Sequence, residues 1–196
     1  MAFRHLDRVA VIGTAGSGKT TFARRLADVL DAPHVELDAL YWGPGWTRRG
    51  SFRQDVLDAI QQPRWVVDGN YSAVRDVVWR RCTAIVWLDY SFARVLSRAL
   101  RRTVRRVTTG ERSVSGNRET VGNQLFDREG VVWWVMRTYR KRRREFPELF
   151  DREEYAHASV VRLATPSATE AFLTETSDLT IQDQAARVRP WNDRIS

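Results

Sequence analysis

The chain contains 196 residues, of which 43% are hydrophobic, and its formal net charge is +8. This length suffices for one domain with a full core, and no apolar run approaches the roughly 18 residues of a transmembrane helix. Cys82 is the only cysteine, which excludes an internal disulfide, and the three histidines lack the spacing of metal ligands. No signal-peptide pattern precedes the first predicted strand. We therefore expect a cytoplasmic protein with no membrane partner and no structural metal.

The first predicted element is a short buried strand over residues 9–12, with the sequence VAVI. The octapeptide GTAGSGKT follows at residues 13–20 and matches the pattern G-x-x-x-x-G-K-[ST]. Phe22, Leu26 and Leu30 then recur at helical spacing, which predicts a helix directly after the octapeptide. This order of strand, turn and helix is typical of a phosphate-binding loop. The alternative is a glycine-rich turn that binds nothing.

The residue types of the octapeptide suit a ligand with several phosphate groups. Glycines let backbone N–H groups approach phosphate oxygens without a Cβ in the way, and the start of the following helix attracts the same negative charge. Lys19 can place a cation on the β- and γ-phosphates, and Thr20 can offer a hydroxyl to Mg²⁺. The residues expected to bind the nucleotide are Gly13, Thr14, Ala15, Gly16, Ser17, Gly18, Lys19, Thr20 and Thr21.

Three further predicted strands share one feature, which is that each runs into an acidic residue. They cover residues 34–37, 65–67 and 84–88 and end at Asp38, Asp68 and Asp89. Strands that alternate with helices predict a parallel sheet, and such sheets bind ligands at the carboxyl ends of their strands. For Asp38 and Asp68 we favour a role in a metal–nucleotide site. For Asp89 we favour an ordinary turn or helix cap.

Between the second and third strands the sequence predicts an aromatic loop and a short helix. The loop covers residues 41–46, with the sequence YWGPGW, and Ser51 is the predicted N-cap of a helix that carries Phe52. We expect residues 39–64 to form a small insert beside the ligand edge. Its aromatic side chains either stack on a planar group of a ligand or pack the short helix onto the sheet.

The second half of the chain is strongly basic. We predict helices over residues 92–107 and 130–144, joined by a polar insert over 108–127, then a strand over 160–163 and a helix capped by Thr165. Residues 98–144 contain fourteen basic and four acidic side chains, so this segment carries +10 and the rest of the chain −2. Such a segment implies an anionic partner, which is nucleotide phosphates, a nucleic acid or an acidic membrane face. The alternative is a set of solvated arginines without a partner.

Together these elements predict an α/β protein with the P-loop NTPase fold, built on a five-stranded parallel sheet with flanking helices. We expect a single domain over residues 1–175, with an arginine-rich lid over 108–128. The apolar pattern fades after residue 175, so residues 176–196 are predicted to form a peripheral tail.

With these residues placed, the chain resembles adenylate-kinase-like P-loop kinases, and within them the bacterial topology modulation proteins. The resemblance covers about the first 110 residues, in the segments VIGTAGSGKTTFARRLA, HVELDALYWGPGWT, WVVDGNYSAVRD and IVWLDYSFARVLSRALRRT. It implies a kinase that uses ATP and Mg²⁺. The Pro-Arg pair that follows Asp-Gly in adenylate kinases is replaced here by Asn70-Tyr71, which disfavours AMP as the acceptor.

The resemblance also implies roles for individual residues. Asp68 corresponds to an aspartate that orders magnesium-bound water, and Arg98 and Arg102 correspond to arginines that grip phosphates. Asp38 lies where small-molecule kinases hold the acceptor hydroxyl. The residues expected to contact the acceptor are Asp38, Tyr41, Trp42, Arg53, Asn70 and Arg75, and Arg118 of the insert is a further candidate for phosphate binding.

Three functions follow from this sequence analysis. The favoured one is an ATP·Mg²⁺-dependent phosphotransferase that moves the γ-phosphate to a nucleotide or a small hydroxylated acceptor. In it, Lys19, Asp38, Arg98 and Arg102 form the catalytic set and Thr20 and Asp68 hold the metal. The second is a nucleic-acid-associated NTPase that uses the basic segment, although no recognised nucleic-acid-binding motif is present. The third is a regulatory module that binds ATP without turnover.

Overall fold

The computed structural model describes residues 6–109 and 131–187. Most of the polar insert predicted over residues 108–127, with Arg118, lies outside these ranges, as does the end of the predicted tail. No helix in the described ranges is long and apolar enough to cross a membrane.

The centre of the fold is a five-stranded parallel sheet with the strand order β2-β3-β1-β4-β5. The strands are β1 (Arg8–Gly13), β2 (His34–Glu36), β3 (Trp65–Asp68), β4 (Ala84–Leu88) and β5 (Ser159–Leu163). Every residue of β3 and β4 is buried, as is typical of a parallel sheet covered on both faces. The five-stranded sheet predicted from the sequence is confirmed.

Helices cover both faces of the sheet. They are α1 (Lys19–Leu30), α2 (Leu37–Tyr41), α3 (Phe52–Ala59), α4 (Ser72–Trp79), α5 (Phe92–Thr109), α6 (Val131–Phe150) and α7 (Pro166–Arg187). Two 3₁₀ turns, Pro44–Trp46 and Glu153–Tyr155, complete the described elements. The predicted cap of α7 is confirmed, because the Thr165 hydroxyl accepts a hydrogen bond from the backbone N–H of Ala168 at 3.1 Å.

The core has two layers because side chains alternate along each strand. Val9 and Val11 of β1 face α1 and α7, where Phe22 and Phe172 are in ring contact at 6.1 Å. Ile12, on the opposite face, packs towards α3, α4 and α6. Each fully buried aliphatic side chain contributes about 1.5–3 kcal/mol relative to its exposure, so the two layers hold the strand ends in fixed positions.

Some elements differ from the sequence expectation. The second strand ends at Glu36 and α2 begins at Leu37, so Asp38 lies in the first turn of a short helix and not at a strand end. Helix α6 continues to Phe150 and includes Pro147. Helix α7 continues to Arg187, and Thr176 within it is buried. Ser51 occupies the N-cap position of α3, but its hydroxyl donates to Asp55 at 2.9 Å and does not cap the backbone.

Candidate active site

The glycines between β1 and α1 have backbone angles that favour glycine. Gly13, Gly16 and Gly18 have φ values of 152°, 85° and 87°, and only glycine adopts such angles without strain. A Cβ on Gly13 would lie 2.7 Å from the carbonyl oxygen of Leu88, and one on Gly16 would lie 2.6 Å from that of Val95. The loop is therefore packed directly against the end of β4 and against α5.

Backbone and side-chain hydrogen bonds shape the loop. The N–H of Ser17 donates to the carbonyl oxygen of Thr14 at 3.1 Å, and Lys19 Nζ donates to the same oxygen at 3.2 Å. Gly18 is the N-cap residue of α1, and no side chain in the described chain caps that end of the helix. The first N–H groups of α1 thus lie at the loop without a capping side-chain acceptor, as an anion site requires.

Lys19 lies in an electropositive and buried environment. Burial lowers its pKa to about 8, and the charge of Arg142 adds to this effect, while Asp68 and Asp38 oppose it. A cation with a lowered pKa is destabilised by its surroundings. A ligand that carries several negative charges would relieve this destabilisation.

Two arginines from different helices also contact the loop. Arg98 of α5 donates to the carbonyl oxygen of Ser17 at 3.3 Å, and its guanidinium lies 5.2 Å from the ring centre of Tyr90. Arg142 of α6 donates to the carbonyl oxygen of Gly13 at 3.4 Å. Burial lowers the pKa of Arg142. Arg102, one turn after Arg98, is half-buried, and its charge also lowers the pKa of Lys19.

Arg142 is not among the site residues predicted from the sequence. It lies in the run Arg140–Arg144 of α6, and five successive basic residues give no sign of which one turns towards the loop. Helical spacing relative to the buried positions Val135, Tyr139 and Phe146 was the one available signal.

Acidic side chains of β2, α2 and β3 lie near one another, and those of Asp38 and Asp68 act on Lys19 of the loop. Asp68 is 2% exposed at the end of β3, and its Oδ2 lies 3.3 Å from Nε2 of His34. Burial raises the pKa of Glu36, and the charges of Asp68 and Asp38 raise it further. The sequence analysis assigned no role to His34, which the structure shows to be the neighbour of Asp68.

The residues present fit a magnesium ion bound together with phosphates. No group of three or more His, Cys, Asp and Glu side chains in the described residues forms a metal site by itself. Thr20 lies in the first turn of α1 and Asp68 is a buried carboxylate at the neighbouring strand end. Mg²⁺ prefers few carboxylates together with water and phosphate oxygens, so these two residues would hold it only when a nucleotide is bound.

The predicted acceptor side is a cluster of aromatic rings beside Asp38. Tyr71 donates its hydroxyl to Oδ1 of Asp38 at 2.6 Å, and burial together with Asp38 raises the pKa of Tyr71. The ring of Tyr41 lies 4.5 Å from that of Tyr71, 4.9 Å from that of Phe52 and 4.7 Å from that of Trp42. These contacts support packing of the short helix α3 as the role of Tyr41.

The other predicted acceptor contacts have partners within the protein. Arg53 forms two hydrogen bonds with Asp76, at 2.6 and 3.0 Å, on the exposed surface. Arg75 pairs with Glu145 of α6 at 3.2 Å and lies over the ring of Trp79. Arg75 also lines a small cavity at the end of β3, together with Leu37, Gly69, Asn70, Tyr71 and Phe146. Asp38 thus lies within electrostatic reach of Lys19, with Tyr71 bonded to it, whereas Arg75 lines the cavity and Arg53 is engaged elsewhere.

Asp89 is buried and forms ion pairs, where the sequence favoured an ordinary turn or helix cap. Its carboxylate is 2% exposed and pairs with Arg143 Nε at 3.0 Å and with Arg162 of β5. The backbone N–H of Asp89 donates to the carbonyl oxygen of Leu163 at 2.9 Å. The residue therefore holds α6 and β5 together at the edge of the sheet.

The parallel sheet, the glycine-rich loop and the helix that follows it define the chain as a protein with the P-loop NTPase fold. No protein-family model matches the sequence, and no curated protein matches it. Among solved structures, the chain is similar to a shikimate kinase from Acinetobacter baumannii in complex with shikimate. The two are 16% identical over 93% of this chain and 97% of the other, with a TM-score of 0.52.

A gluconokinase from Sinorhizobium meliloti is 17% identical over 95% of this chain and all of the other, with a TM-score of 0.51. A shikimate kinase from Bacteroides thetaiotaomicron is 15% identical over 88% of this chain and 97% of the other, also with a TM-score of 0.51. At such identities the similarity shows the fold alone. The resemblance to topology modulation proteins remains a prediction.

Proposed function

We propose that this protein is an ATP·Mg²⁺-dependent phosphotransferase that acts on a small hydroxylated acceptor. The observation that carries the proposal is the position of Lys19, which is half-buried, donates to the loop carbonyl of Thr14 and lies within the electrostatic reach of Asp38 and Asp68. This arrangement supports a triphosphate site at the loop, beside carboxylates suited to a metal and to a hydroxyl group. The structural neighbours include kinases of two different small molecules, which supports this class of reaction.

On the donor side, the loop amides and Lys19 would bind the β- and γ-phosphates. Thr20 and Asp68 would hold Mg²⁺, which supplies charge neutralisation to the phosphate oxygens when it is bound. Arg98 already donates to the carbonyl of Ser17, so a small rotation would bring its guanidinium to the phosphates. Arg102 would contribute positive charge from the same face of α5.

On the acceptor side, the hydroxyl oxygen would attack the γ-phosphorus. The bond from that phosphorus to the bridging oxygen breaks, ADP leaves, and the hydroxyl proton passes to Asp38. The hydrogen bond from Tyr71 occupies Oδ1 of Asp38, so Oδ2 would be the oxygen that accepts the proton. Arg142 adds positive charge next to Lys19 and joins the catalytic set that the sequence suggested.

The test uses the two lysines of the chain as a matched pair. Lys19→Ala removes the cation at the loop, whereas Lys141→Ala removes an exposed cation from α6. We expect Lys19→Ala to lower phosphotransfer at least about 100-fold, which corresponds to about 2.7 kcal/mol of transition-state stabilisation. Lys141→Ala should retain the native rate.

The measurement is ADP release with Mg²⁺·ATP and a panel of nucleosides, nucleoside monophosphates and hydroxylated acids, which also identifies the acceptor. Circular dichroism confirms that both variants are folded. Native phosphotransfer by Lys19→Ala would contradict the proposed site. ATP binding without turnover on any acceptor would favour the regulatory module instead.

A further inference from the structure

The side chain of Asn70 is bound to the backbone of the phosphate loop. Gly13 donates its N–H to Oδ1 of Asn70 at 3.2 Å, and Nδ2 of Asn70 donates to the carbonyl oxygen of Gly13. Both polar ends of the amide are thus paired with one residue of the loop. The sequence analysis placed Asn70 among the acceptor contacts, but the amide faces the nucleotide side of the site.

These two hydrogen bonds continue the pairing of β1 with β3 beyond the end of the ladder. The last residues in register are Val11 and Asp68, and the last backbone bond runs from the N–H of Gly69 to the carbonyl oxygen of Val11 at 3.2 Å. Two residues further along β1, at Gly13, the side-chain amide of Asn70 takes the place of the β3 backbone. It can do so because it offers one donor and one acceptor in the same plane.

The backbone at Gly69 makes this position of Asn70 possible. Gly69 has a φ of 139°, and a Cβ there would lie 2.8 Å from Cβ of Leu37. The chain therefore turns closely over the start of α2 and directs the next residue back towards β1. Aspartate at position 70 would lack the donor, and glutamine would be longer by one methylene.

The pairing fixes the orientation of a peptide that would otherwise rotate easily. Gly13 has no Cβ to restrict its backbone angles sterically. Without hydrogen bonds, its carbonyl oxygen could therefore rotate towards the bound phosphates, where it would repel them. Asn70 and Arg142 both donate to that oxygen, and Lys19 donates to the next carbonyl, that of Thr14. The first two carbonyls of the loop are thus occupied by donors from the protein.

We propose that Asn70 is a positioning residue that extends the β1–β3 pairing through its side chain and fixes the Gly13 peptide for nucleotide binding. The consequence for nucleotide affinity depends on the function proposed above, whereas the hydrogen-bonding role can be measured without any ligand.

The first measurement is amide hydrogen exchange by NMR in the full nucleotide-free chain. Asn70→Ala removes both hydrogen bonds, and we expect exchange at the Gly13 amide to accelerate at least about tenfold while that of Val11 stays unchanged. Asn70→Asp keeps the acceptor and should preserve the protection of Gly13. Gln54→Ala, which removes an exposed side-chain amide bonded to Asp58, is the matched control. Native protection of Gly13 in Asn70→Ala would overturn the proposal.

The second measurement is calorimetric titration with Mg²⁺·ATP. We expect the dissociation constant to rise at least about tenfold in Asn70→Ala. Gln54→Ala should show native affinity and an unchanged unfolding midpoint. Equal affinity of the native chain and Asn70→Ala would overturn the proposed role in nucleotide binding. If the native chain does not bind Mg²⁺·ATP, the proposed function fails, and the exchange experiment alone then decides the role of Asn70. If Asn70→Ala does not fold, Asn70→Leu, which keeps the size of the side chain without its polar atoms, decides in its place, and native protection of Gly13 in that variant overturns the proposal.

Discussion

At the scale of single residues, the lowered pKa of Lys19 connects burial with ligand binding. In the free protein this pKa is about 8, against 10.5 for an ordinary lysine. Between these two pH values the unfolded chain holds the proton more tightly than the folded one, so the stability contributed by this group rises with pH in that window. A bound triphosphate favours the protonated form and would raise the pKa again.

We therefore predict that nucleotide binding takes up a proton above pH 8. The affinity of the free protein for Mg²⁺·ATP should be constant below pH 8 and fall by up to about tenfold for each pH unit above it. Titration calorimetry at pH 9 in two buffers of different ionisation enthalpy should show uptake of nearly one proton. Lys141→Ala should behave like the native chain, and Lys19→Arg should show no uptake. Binding at pH 9 without proton uptake in the native chain would contradict this assignment.

At the scale of elements, α6 links the phosphate loop to the far edge of the sheet. Two adjacent residues of α6 contact different parts of the protein, because Arg142 donates to Gly13 and Arg143 pairs with Asp89. Tyr139, one turn earlier, donates its hydroxyl to the carbonyl oxygen of Tyr90 at 3.1 Å. Asp89 therefore anchors the helix that positions Arg142.

We predict that Asp89→Asn destabilises the fold by about 1–3 kcal/mol. The substitution removes a buried negative charge that two arginines share, and the loss is moderate because those arginines, at 43% and 53% exposure, can reach water. The matched control is Asp76→Asn, which removes the carboxylate from an exposed pair with Arg53 and should change stability by less than about 1 kcal/mol. Urea unfolding measures both, and equal effects would contradict the anchoring role of Asp89.

Some elements could be predicted from the sequence and others could not, for physical reasons. The strands β1, β3 and β4 are continuous apolar runs between polar turns, and the glycine pattern at residues 13–20 marks a turn between a strand and a helix, so these strands and the order of strand, loop and helix were predicted correctly. The start of α2 was not predicted, because the residues before it, His34, Val35 and Glu36, include no glycine, proline or preferred N-cap residue that marks the end of a strand.

The parts of the candidate site that the sequence missed depend on tertiary contacts. Arg142 and His34 reach the site from α6 and β2, and no local pattern encodes which side chain of a basic run faces inward. The pairing of Asn70 with Gly13 spans 57 positions of the chain. Only the order of the strands in the sheet, which places β3 next to β1, brings these two residues together.

At the scale of the whole molecule, the positive charge is distributed unevenly along the chain. What each arginine side chain contacts matters more than the net charge. Residues 98–144 carry +10 against +8 for the whole chain. Arg98, Arg142 and Arg143 from this segment contact the loop or Asp89. Apart from Arg98 and Arg143, which are themselves exposed, six basic residues of the same segment are exposed in the described chain. They are Arg101, Arg105, Arg137, Arg140, Lys141 and Arg144.

Substitutions of the arginines that contact the loop and of the other exposed arginines should have different effects. This difference distinguishes a kinase from a nucleic-acid-associated NTPase. Arg142→Ala should lower phosphotransfer at least about tenfold, because it removes a half-buried positive charge beside Lys19, and should leave the binding of duplex DNA nearly unchanged. The double variant Arg140→Ala, Arg144→Ala should keep the native rate of phosphotransfer. DNA binding by the native chain, followed by fluorescence anisotropy, should be weak and should be lost between about 50 and 200 mM salt, because it depends on exposed charges alone. If duplex DNA stimulates ATP turnover at about 200 mM salt, and the double variant abolishes that stimulation, the basic surface belongs to the function and the kinase assignment is wrong.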